Sequence, residues 1–208
     1  MVSRIALAWL VAALGLVGGL PGGAAGQGSA PVATLADGRV GQIHFESRTP
    51  AGYFALARRE AAPSAVVVGT LRLPQDAAGR VPAMVIAHGS GGVDVREAAW
   101  ADRLGALGLA TFVVDSFTPR NIRETATDQG RLPTAANVAD ALAALRLLAT
   151  HPRIDPDRIG VIGFSKGGHV ALYPYCSDWY TAERVTGAAM LFLLGGRDDY
   201  TPAEACRG

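Results

Sequence analysis

One serine of this sequence stands in a pattern that is typical of a covalent nucleophile. An apolar run over residues 159–164 leads into Gly-Phe-Ser-Lys-Gly at positions 163–167, and a small-residue segment suited to a helix follows. Gly-x-Ser-x-Gly after such a run is typical of a nucleophile elbow, a strained strand-to-helix turn that exposes the serine hydroxyl. The flanking glycines leave room for the turn, because a Cβ there would meet the strand or the helix. Ser165 is therefore the candidate nucleophile. The alternative is an ordinary strand–turn–helix corner with an exposed serine.

A serine nucleophile also needs hydrogen-bond donors for the oxyanion that forms when it attacks a carbonyl group. The backbone N–H of Lys166 is one predicted donor, since this residue follows the nucleophile. The second is predicted in the glycine-rich turn at residues 88–92, at Ser90 or Gly91, because glycines let a main-chain N–H face inward. The Lys166 side chain could instead be a general base, but nothing in the sequence indicates the burial that would lower its pKa. We therefore expect Lys166 to act through its backbone.

A carboxylate that could orient a catalytic base follows the last apolar run of the chain. Residues 190–194 are predicted as a strand, and Asp198 and Asp199 come shortly after it. An aspartate beyond a strand end and downstream of the elbow serine is where the acid of a catalytic triad lies in such a sheet. Asp198 is the candidate acid, with Asp199 as the reserve. The alternative is a surface turn rich in Asp and Pro.

The base is missing from its expected place. The chain order expected with an elbow is serine, acid, histidine, but no histidine occurs after Asp198. All the histidines precede it: His44, His88, His151 and His169. His88 ends an apolar strand, where a histidine more often braces the turn. His169 is a weak candidate, because a helix would point it away from the Ser165 hydroxyl.

Alternating strand and helix patterns predict the scaffold that must position these groups. Two early strands, over residues 43–46 and 66–73, are expected to pair antiparallel. Apolar runs then alternate with helical patterns, which predicts a doubly wound, mostly parallel α/β sheet. The later strands are predicted over residues 83–87, 109–114 and 158–164, and the helices over 95–107 and from Thr134, the expected N-cap, to about 150. The expected core faces of the two helices are Trp100, Leu104 and Leu107, and Val138, Leu142, Leu145 and Leu148.

The composition of the chain and its first 26 residues indicate which class of protein it belongs to. With 208 residues and a formal charge of +1, the chain is long enough for one domain and has no basic block that would indicate a nucleic-acid partner. Residues 1–26 have the order of a secretory signal peptide, residues 27–39 are a loose lead-in, and residues 40–208 form the domain. We expect export to the periplasm or beyond, with no stable membrane span after cleavage. In that oxidising compartment, Cys176 and Cys206 are expected to pair, and the alternative is two buried free thiols.

Five motifs together resemble the dienelactone hydrolase family of α/β-hydrolases, from about residue 40 to the end of the chain. They lie at residues 88–92, 115–120, 163–168, 173–176 and 198–202. The resemblance implies hydrolysis of a small-molecule ester or lactone through an acyl-enzyme, with no metal or cofactor. It carries Ser165 over as nucleophile and Asp198 as acid. Dienelactone hydrolases themselves have cysteine at the elbow, so serine here indicates an esterase-like relative.

The stretch between Ser165 and Asp198 departs from the family pattern. Pro174 ends the helix after the elbow, and the strand that normally follows this helix is missing. We therefore expect residues 188–194 to pair directly with the nucleophile strand and to form an apolar sheet edge that promotes aggregation. With no histidine after Asp198, the alternative to a hydrolase is a non-catalytic fragment or a binding module on this scaffold. The sequence does not specify the substrate or the oligomeric state.

Overall fold

Among the described residues, the scaffold is one seven-stranded sheet flanked by helices. A computed structural model describes residues 30–75, 77–167, 171–172 and 191–193. The strands are β1 (Gly41–Arg48), β2 (Ser64–Arg72), β3 (Val81–Ala87), β4 (Ala110–Asp115), β5 (Ile154–Phe164), β6 (Ala171–Leu172) and β7 (Phe192–Leu193). The α-helices are α1 (Tyr53–Ala57), α2 (Val95–Ala106) and α3 (Thr134–Leu148), and short 3₁₀ helices lie at Thr118–Arg120, Gln129–Arg131 and Ser165–Gly167.

The strand order confirms the predicted doubly wound, mostly parallel sheet. The order is β1-β2-β4-β3-β5-β6-β7; β2 pairs antiparallel with β1 and β4, and all the other neighbours are parallel. Alternate residues of β3 enter different clusters: Val85 packs on the α3 side, whereas Ile86 packs with residues of α2. Successive strand side chains point to opposite faces, so the two helices cover opposite faces of the sheet.

Helix α2 begins with a capping box and ends at a glycine. The Asp94 side chain caps the first turn, and Glu97 Oε2 accepts a hydrogen bond from the Asp94 N–H at 2.9 Å. Gly108 has a φ of 84°, which suits the predicted helix stop. Trp100 and Leu104 pack against the core as predicted. The prediction for Leu107 was wrong: it lies one residue beyond the helix and is 75% exposed.

Helix α3 buries a different face from the predicted one. Its N-cap is Pro133, and the predicted cap, Thr134, is the first helical residue and makes no capping bond. Val138, Leu142 and Leu145 are only partly buried, whereas the predicted Leu148 is fully buried. The buried residues are Ala135, Ala136, Asn137, Ala139, Asp140, Ala141, Ala144, Leu147 and Leu148. Small side chains over residues 135–144 let the helix lie close to the sheet, so Val138, Leu142 and Leu145 lie at the flanks of the contact.

A buried ion pair fixes α3 to the segment after β4. Arg120 makes two hydrogen bonds to the Asp140 carboxylate, at 2.7 and 2.9 Å, and the Asp140 side chain is fully buried. The same guanidinium donates to the Ser116 carbonyl at 2.7 Å, and Ser47 of β1 donates to the carboxylate. Because each charged group meets a partner, this cluster can link β1, the β4 end and α3 without an unpaired buried charge.

Part of the predicted lead-in is packed rather than loose. Val32 forms a β-bridge to Phe45, and Leu35 is fully buried in the core cluster. The Leu35 N–H donates to Thr150 Oγ1 at 2.8 Å. The buried Leu35 side chain and this backbone hydrogen bond together attach the lead-in to the core and to Thr150, just after α3.

The order of the last strands corrects two expectations. Ala171–Leu172, which we expected in a helix, is strand β6 and pairs parallel with Gly163 and Phe164 of β5. β7 pairs with β6, so the prediction that the last strand docks directly beside the nucleophile strand was wrong. In the described part of the chain β7 is the last strand of the sheet, and both Leu191, which precedes it, and Leu193, within it, are exposed.

Several predictions concern residues outside the described part of the chain. These are the signal peptide at residues 1–26, His169, the cysteines Cys176 and Cys206, and the candidate acids Asp198 and Asp199. Within the described residues, no helix combines the length and the apolar character that a membrane crossing requires.

Candidate active site

Ser165 lies at the C-terminal end of β5 in the backbone conformation that a nucleophile elbow requires. It has a φ of 51° and begins the 3₁₀ helix Ser165–Gly167 directly after the last strand residue, Phe164. A left-handed conformation costs a residue with a Cβ about 1–2 kcal/mol. Such strain persists where the surrounding structure enforces it, and it is concentrated at functional sites. Ser165 is therefore held in a costly conformation at the end of a strand whose last residues are buried.

The glycine-rich turn after β3 lies directly against this elbow. Ala87 and Gly163 are register partners, so the two parallel strands end side by side. A Cβ at Gly89 would lie 3.1 Å from the Phe164 carbonyl oxygen and 3.4 Å from Ser165 Cβ. Only glycine fits this approach without displacement of the elbow. The turn is closed by a 3.1 Å hydrogen bond from the Gly92 N–H to the Gly89 carbonyl, and Gly92 has a φ of 85°.

His88 braces the turn, as expected. Its Nε2 lies 3.1 Å from the Ser116 N–H, which can only donate, so Nε2 accepts. The proton is then on Nδ1, which donates to the Gly89 carbonyl at 2.7 Å. Burial lowers the pKa of His88, which favours this neutral tautomer. With both ring nitrogens occupied, His88 holds the turn and has no free position for proton transfer from Ser165.

The Lys166 side chain is buried, which corrects the expectation from sequence. Lys166 is the single lysine of the chain and is 5% exposed. Its Nζ donates to the Gln129 carbonyl at 3.0 Å, to Gln129 Oε1 at 3.2 Å and to Thr125 Oγ1 at 3.4 Å. Desolvation lowers its pKa, opposed by the charge of Asp128. The covering residues come from the loop between β4 and α3, so a local reading of the elbow could not detect this burial.

The loop between β4 and α3 supplies site residues that sequence reasoning missed. Thr125 is fully buried, and its N–H donates to the Ser90 carbonyl at 2.8 Å. Gln129 Nε2 donates to Ser90 Oγ at 2.9 Å. The loop has no apolar periodicity, and no motif within it indicated either residue.

The other described histidines lie far from the elbow. His151 Nδ1 accepts from the Arg153 N–H at 3.1 Å, just before β5 begins at Ile154, whereas Ser165 follows the other end of this strand. A strand of eleven residues spans roughly 35 Å. His44 lies on β1, four strands away from β5 in the sheet order. Neither residue can contact the Ser165 hydroxyl.

Two further features of the described residues are not part of this arrangement. No group of three His, Cys, Asp or Glu side chains within the described ranges is placed to hold a metal ion. A cavity of about 670 Å³ lies beside Arg72 at the end of β2 and Thr111 at the start of β4. Strands β4 and β5 both run parallel to β3. The cavity at the start of β4 therefore lies at the opposite end of the strands from Ser165, which follows the end of β5.

Comparison with known proteins identifies one family. The sequence profile of the dienelactone hydrolase family matches residues 67–205. A search of the curated proteins finds no match.

Several solved structures are similar to part of the chain. A protein named m3DLH is 25% identical, with a TM-score of 0.43, over 62% of this chain and 52% of that chain. A dienelactone hydrolase-like promiscuous phosphotriesterase from metagenomic libraries is 22% identical, with a TM-score of 0.42, over 62% and 52%. Esterase 2 of Thermogutta terrifontis with bound butyrate is 22% identical, with a TM-score of 0.40, over 50% and 37%. The chain thus spans about half or less of the length of these structures.

Proposed function

Since the chain belongs to the dienelactone hydrolase family, we propose that the protein is a serine hydrolase that cleaves small-molecule carboxylic esters or lactones through an acyl-enzyme on Ser165. The observation that carries the proposal is the left-handed backbone of Ser165 at the end of β5, with Gly89 of the neighbouring turn in contact with it. A nucleophile elbow against a glycine-rich turn is the arrangement that acyl transfer needs.

In the proposed first step, Ser165 Oγ attacks the ester carbonyl carbon while a base takes the hydroxyl proton. The carbonyl oxygen becomes an oxyanion. We propose that it accepts hydrogen bonds from the backbone N–H of Lys166 and from an N–H of the turn, at Ser90 or Gly91. Collapse of this intermediate expels the alcohol with a proton returned by the base, and water then hydrolyses the acyl-enzyme by the reverse sequence. The buried ammonium of Lys166 places a positive charge on the residue that follows the nucleophile, which favours a developing negative charge nearby.

The proposed acid and base come from residues other than the elbow. We propose Asp198 as the triad acid, with Asp199 as the alternative, on the basis of sequence position. Of the described histidines, His88 is occupied by two hydrogen bonds, and His44 and His151 are too distant. Within the given sequence, His169 is therefore the remaining histidine to test as a base.

The second candidate function is ligand binding without catalysis. The observation that favours it is the commitment of His88 to the turn, since this leaves the histidine closest to the elbow unable to activate Ser165. A binding module would retain affinity for an ester or a lactone but would show no Ser165-dependent turnover.

A covalent probe tests the proposal directly. The chain from residue 27 to 208 is treated with a fluorophosphonate, and intact mass and peptide mapping locate any adduct, with Ser165→Ala as the control. We expect an adduct at Ser165 alone. Adduct formation that persists in Ser165→Ala would refute the assignment of the nucleophile. Ser165-dependent hydrolysis of a short-chain nitrophenyl ester, measured against the same control, would rule out the binding module.

Adding His169→Gln to the turnover assay tests the remaining candidate base. From the histidines of the given sequence, we expect that residues 27–208 alone show no ester hydrolysis above the Ser165→Ala control. Ser165-dependent turnover that His169→Gln abolishes would contradict this expectation and identify His169 as the base.

We also propose that the protein is exported. The support is the order of residues 1–26, in which Arg4 precedes an apolar segment and a small-residue stretch. N-terminal sequencing of the protein from the periplasmic fraction is expected to show cleavage after Ala25 or Gly26. Recovery of the intact N-terminus from the cytosol would contradict export.

A further inference from the structure

The loop between β4 and α3 touches the glycine-rich turn at several points. The Thr125 N–H donates to the Ser90 carbonyl at 2.8 Å. A Cβ at Gly92 would lie 3.2 Å from the Arg123 carbonyl oxygen. The loop therefore packs along the turn that follows β3, and residues on it can determine where the turn lies.

Thr125 contacts both the turn and the elbow, through its N–H and its hydroxyl, and Gln129 joins them through the two polar atoms of one side chain. Gln129 Nε2 donates to Ser90 Oγ at 2.9 Å, and Gln129 Oε1 accepts from Lys166 Nζ at 3.2 Å. The Gln129 backbone carbonyl also accepts from Lys166 Nζ at 3.0 Å. The Gln129 backbone is itself held in a 3₁₀ turn, in which the Asp128 side chain accepts from the Gly130 N–H at 3.0 Å. The Gln129 side chain, on a fixed backbone, thus bonds both to Ser90 of the turn and to Lys166 of the elbow.

We propose that Gln129 is a positioning residue that fixes the turn at residues 88–92 relative to the elbow, through its hydrogen bonds to Ser90 and Lys166. This inference rests on the proposed function, in which these two segments supply the two donors of the oxyanion hole. An oxyanion hole works when its donors are held at a set separation before the reaction, and a small displacement reduces the rate. Gln129 acts through Ser90 and Lys166 and does not itself touch the reacting atoms.

The amide chemistry of Gln129 explains why substitutions should differ. Methionine at this position keeps the length of the side chain but forms neither strong hydrogen bond. Glutamate keeps an acceptor for Lys166 Nζ, and the Ser90 hydroxyl can rotate to donate to it. Gln129→Met should therefore release the turn, whereas Gln129→Glu should retain the connection.

Amide hydrogen exchange tests the positioning without any need for activity. Peptides that cover residues 88–92 are compared in the wild-type chain, Gln129→Met and Gln129→Glu. The matched control is Thr127→Ala in the same loop, since Thr127 donates to Glu124 and not to the turn or the elbow. We expect about tenfold faster exchange in Gln129→Met, and wild-type exchange in Gln129→Glu and Thr127→Ala. Unchanged exchange in Gln129→Met would overturn the proposal, as would equal exchange in the Met and Glu variants.

The rate of fluorophosphonate labelling at Ser165 tests the consequence for chemistry. We expect labelling about tenfold slower in Gln129→Met, a normal rate in Gln129→Glu, and no further loss when Gln129→Met is combined with Ser90→Ala, because residues that act through one contact are not additive. If wild-type Ser165 is not labelled, the proposed function fails while hydrogen exchange still decides the role of Gln129. If the wild type is labelled and Gln129→Met reacts equally fast, the role of Gln129 is refuted and the proposed function stands.

Discussion

Arg120, with a side chain 10% exposed, and Lys166, at 5%, are both largely shielded cations, and the structure holds them in different ways. Arg120 makes a two-pronged contact with the Asp140 carboxylate. Lys166 donates to three oxygens of Gln129 and Thr125, all of them neutral. A carboxylate cancels the field of the cation that it contacts, whereas neutral oxygens solvate a cation and leave its net charge.

The comparison separates scaffold from site. The Arg120–Asp140 pair lies where β1, the segment after β4 and α3 meet, and it joins elements that must stay together. Lys166 lies at the elbow beside a serine with a left-handed backbone. A buried charge that no carboxylate contacts and a strained backbone both oppose folding, and in this molecule they occur at the adjacent residues Lys166 and Ser165. Features that cost stability are therefore concentrated at the proposed nucleophile.

Breaking the Arg120–Asp140 ion pair should have the largest effect on the free energy of unfolding. Asp140→Asn removes the negative charge but keeps the shape, and leaves Arg120 buried without a counter-ion. We expect a loss of about 3–5 kcal/mol in the free energy of unfolding, measured by denaturant titration. The matched control is Asp102→Asn, which breaks the exposed Arg72–Asp102 pair, with side chains 53% and 72% exposed. The control should lose less than about 1 kcal/mol, and equal losses would contradict the structural role of the buried pair.

The pH dependence of stability tests the bracing of the turn. Burial lowers the pKa of His88 from 6.5, so the unfolded chain binds its proton more tightly than the folded chain. The contribution of neutral His88 is complete above pH 6.5 and is lost as the pH falls below that value. We expect up to about 1.4 kcal/mol of lost stability for each pH unit until the folded pKa is reached. In denaturation from pH 8 to pH 5, the wild type should therefore lose stability more steeply than His88→Gln, and the difference between the two curves is the His88 contribution. Parallel curves would show that His88 keeps its ordinary pKa.

The strain at the elbow predicts a stabilising substitution. Glycine adopts a φ of 51° without the steric cost of a Cβ, so Ser165→Gly should be about 1 kcal/mol more stable than Ser165→Ala. Both variants lack the nucleophile, so the comparison isolates the backbone. As a control, Ser64→Gly should be no more stable than Ser64→Ala, since Ser64 begins the regular strand β2. A Ser165→Gly variant that is less stable than Ser165→Ala would show that the elbow is not strained.

The strands and the elbow could be predicted from sequence because their causes are local. An apolar run buried on both faces is visible in residues 83–87, and the elbow is a contiguous pattern around Ser165. The capping box between Asp94 and Glu97 is also a local signal, because its two residues lie three positions apart in the sequence. The family resemblance added the expected roles of residues that periodicity alone does not distinguish.

The errors have non-local causes. The face of α3 was assigned from its large aliphatic residues, but the buried face is set by close approach of alanines and by the bond between Asp140 and Arg120, twenty positions away. The burial of Lys166 depends on Gln129, which lies 37 positions upstream in a loop without periodicity. The position of Ala171–Leu172 in the sheet depends on pairing with β5, and the small residues there fit a helix pattern equally well.

The smallest predicted effect concerns the titration of Lys166. Burial lowers the pKa of Lys166 from 10.5, so the unfolded chain binds this proton more tightly than the folded chain. Stability relative to Lys166→Met should therefore be lowest below the folded pKa and should rise as the pH approaches 10.5. Because Lys166 is the single lysine, NMR of the chain labelled with ¹³C-lysine gives one Cε signal, whose shift follows the titration of the unmodified amine. We expect the pH midpoint of the Lys166 titration to lie below 10.5 in the wild-type chain. In Gln129→Met it should lie closer to 10.5, because the loop then covers the amine less completely. A midpoint at 10.5 in the wild-type chain would show that Lys166 is solvated, and the contrast with Arg120 would then fail.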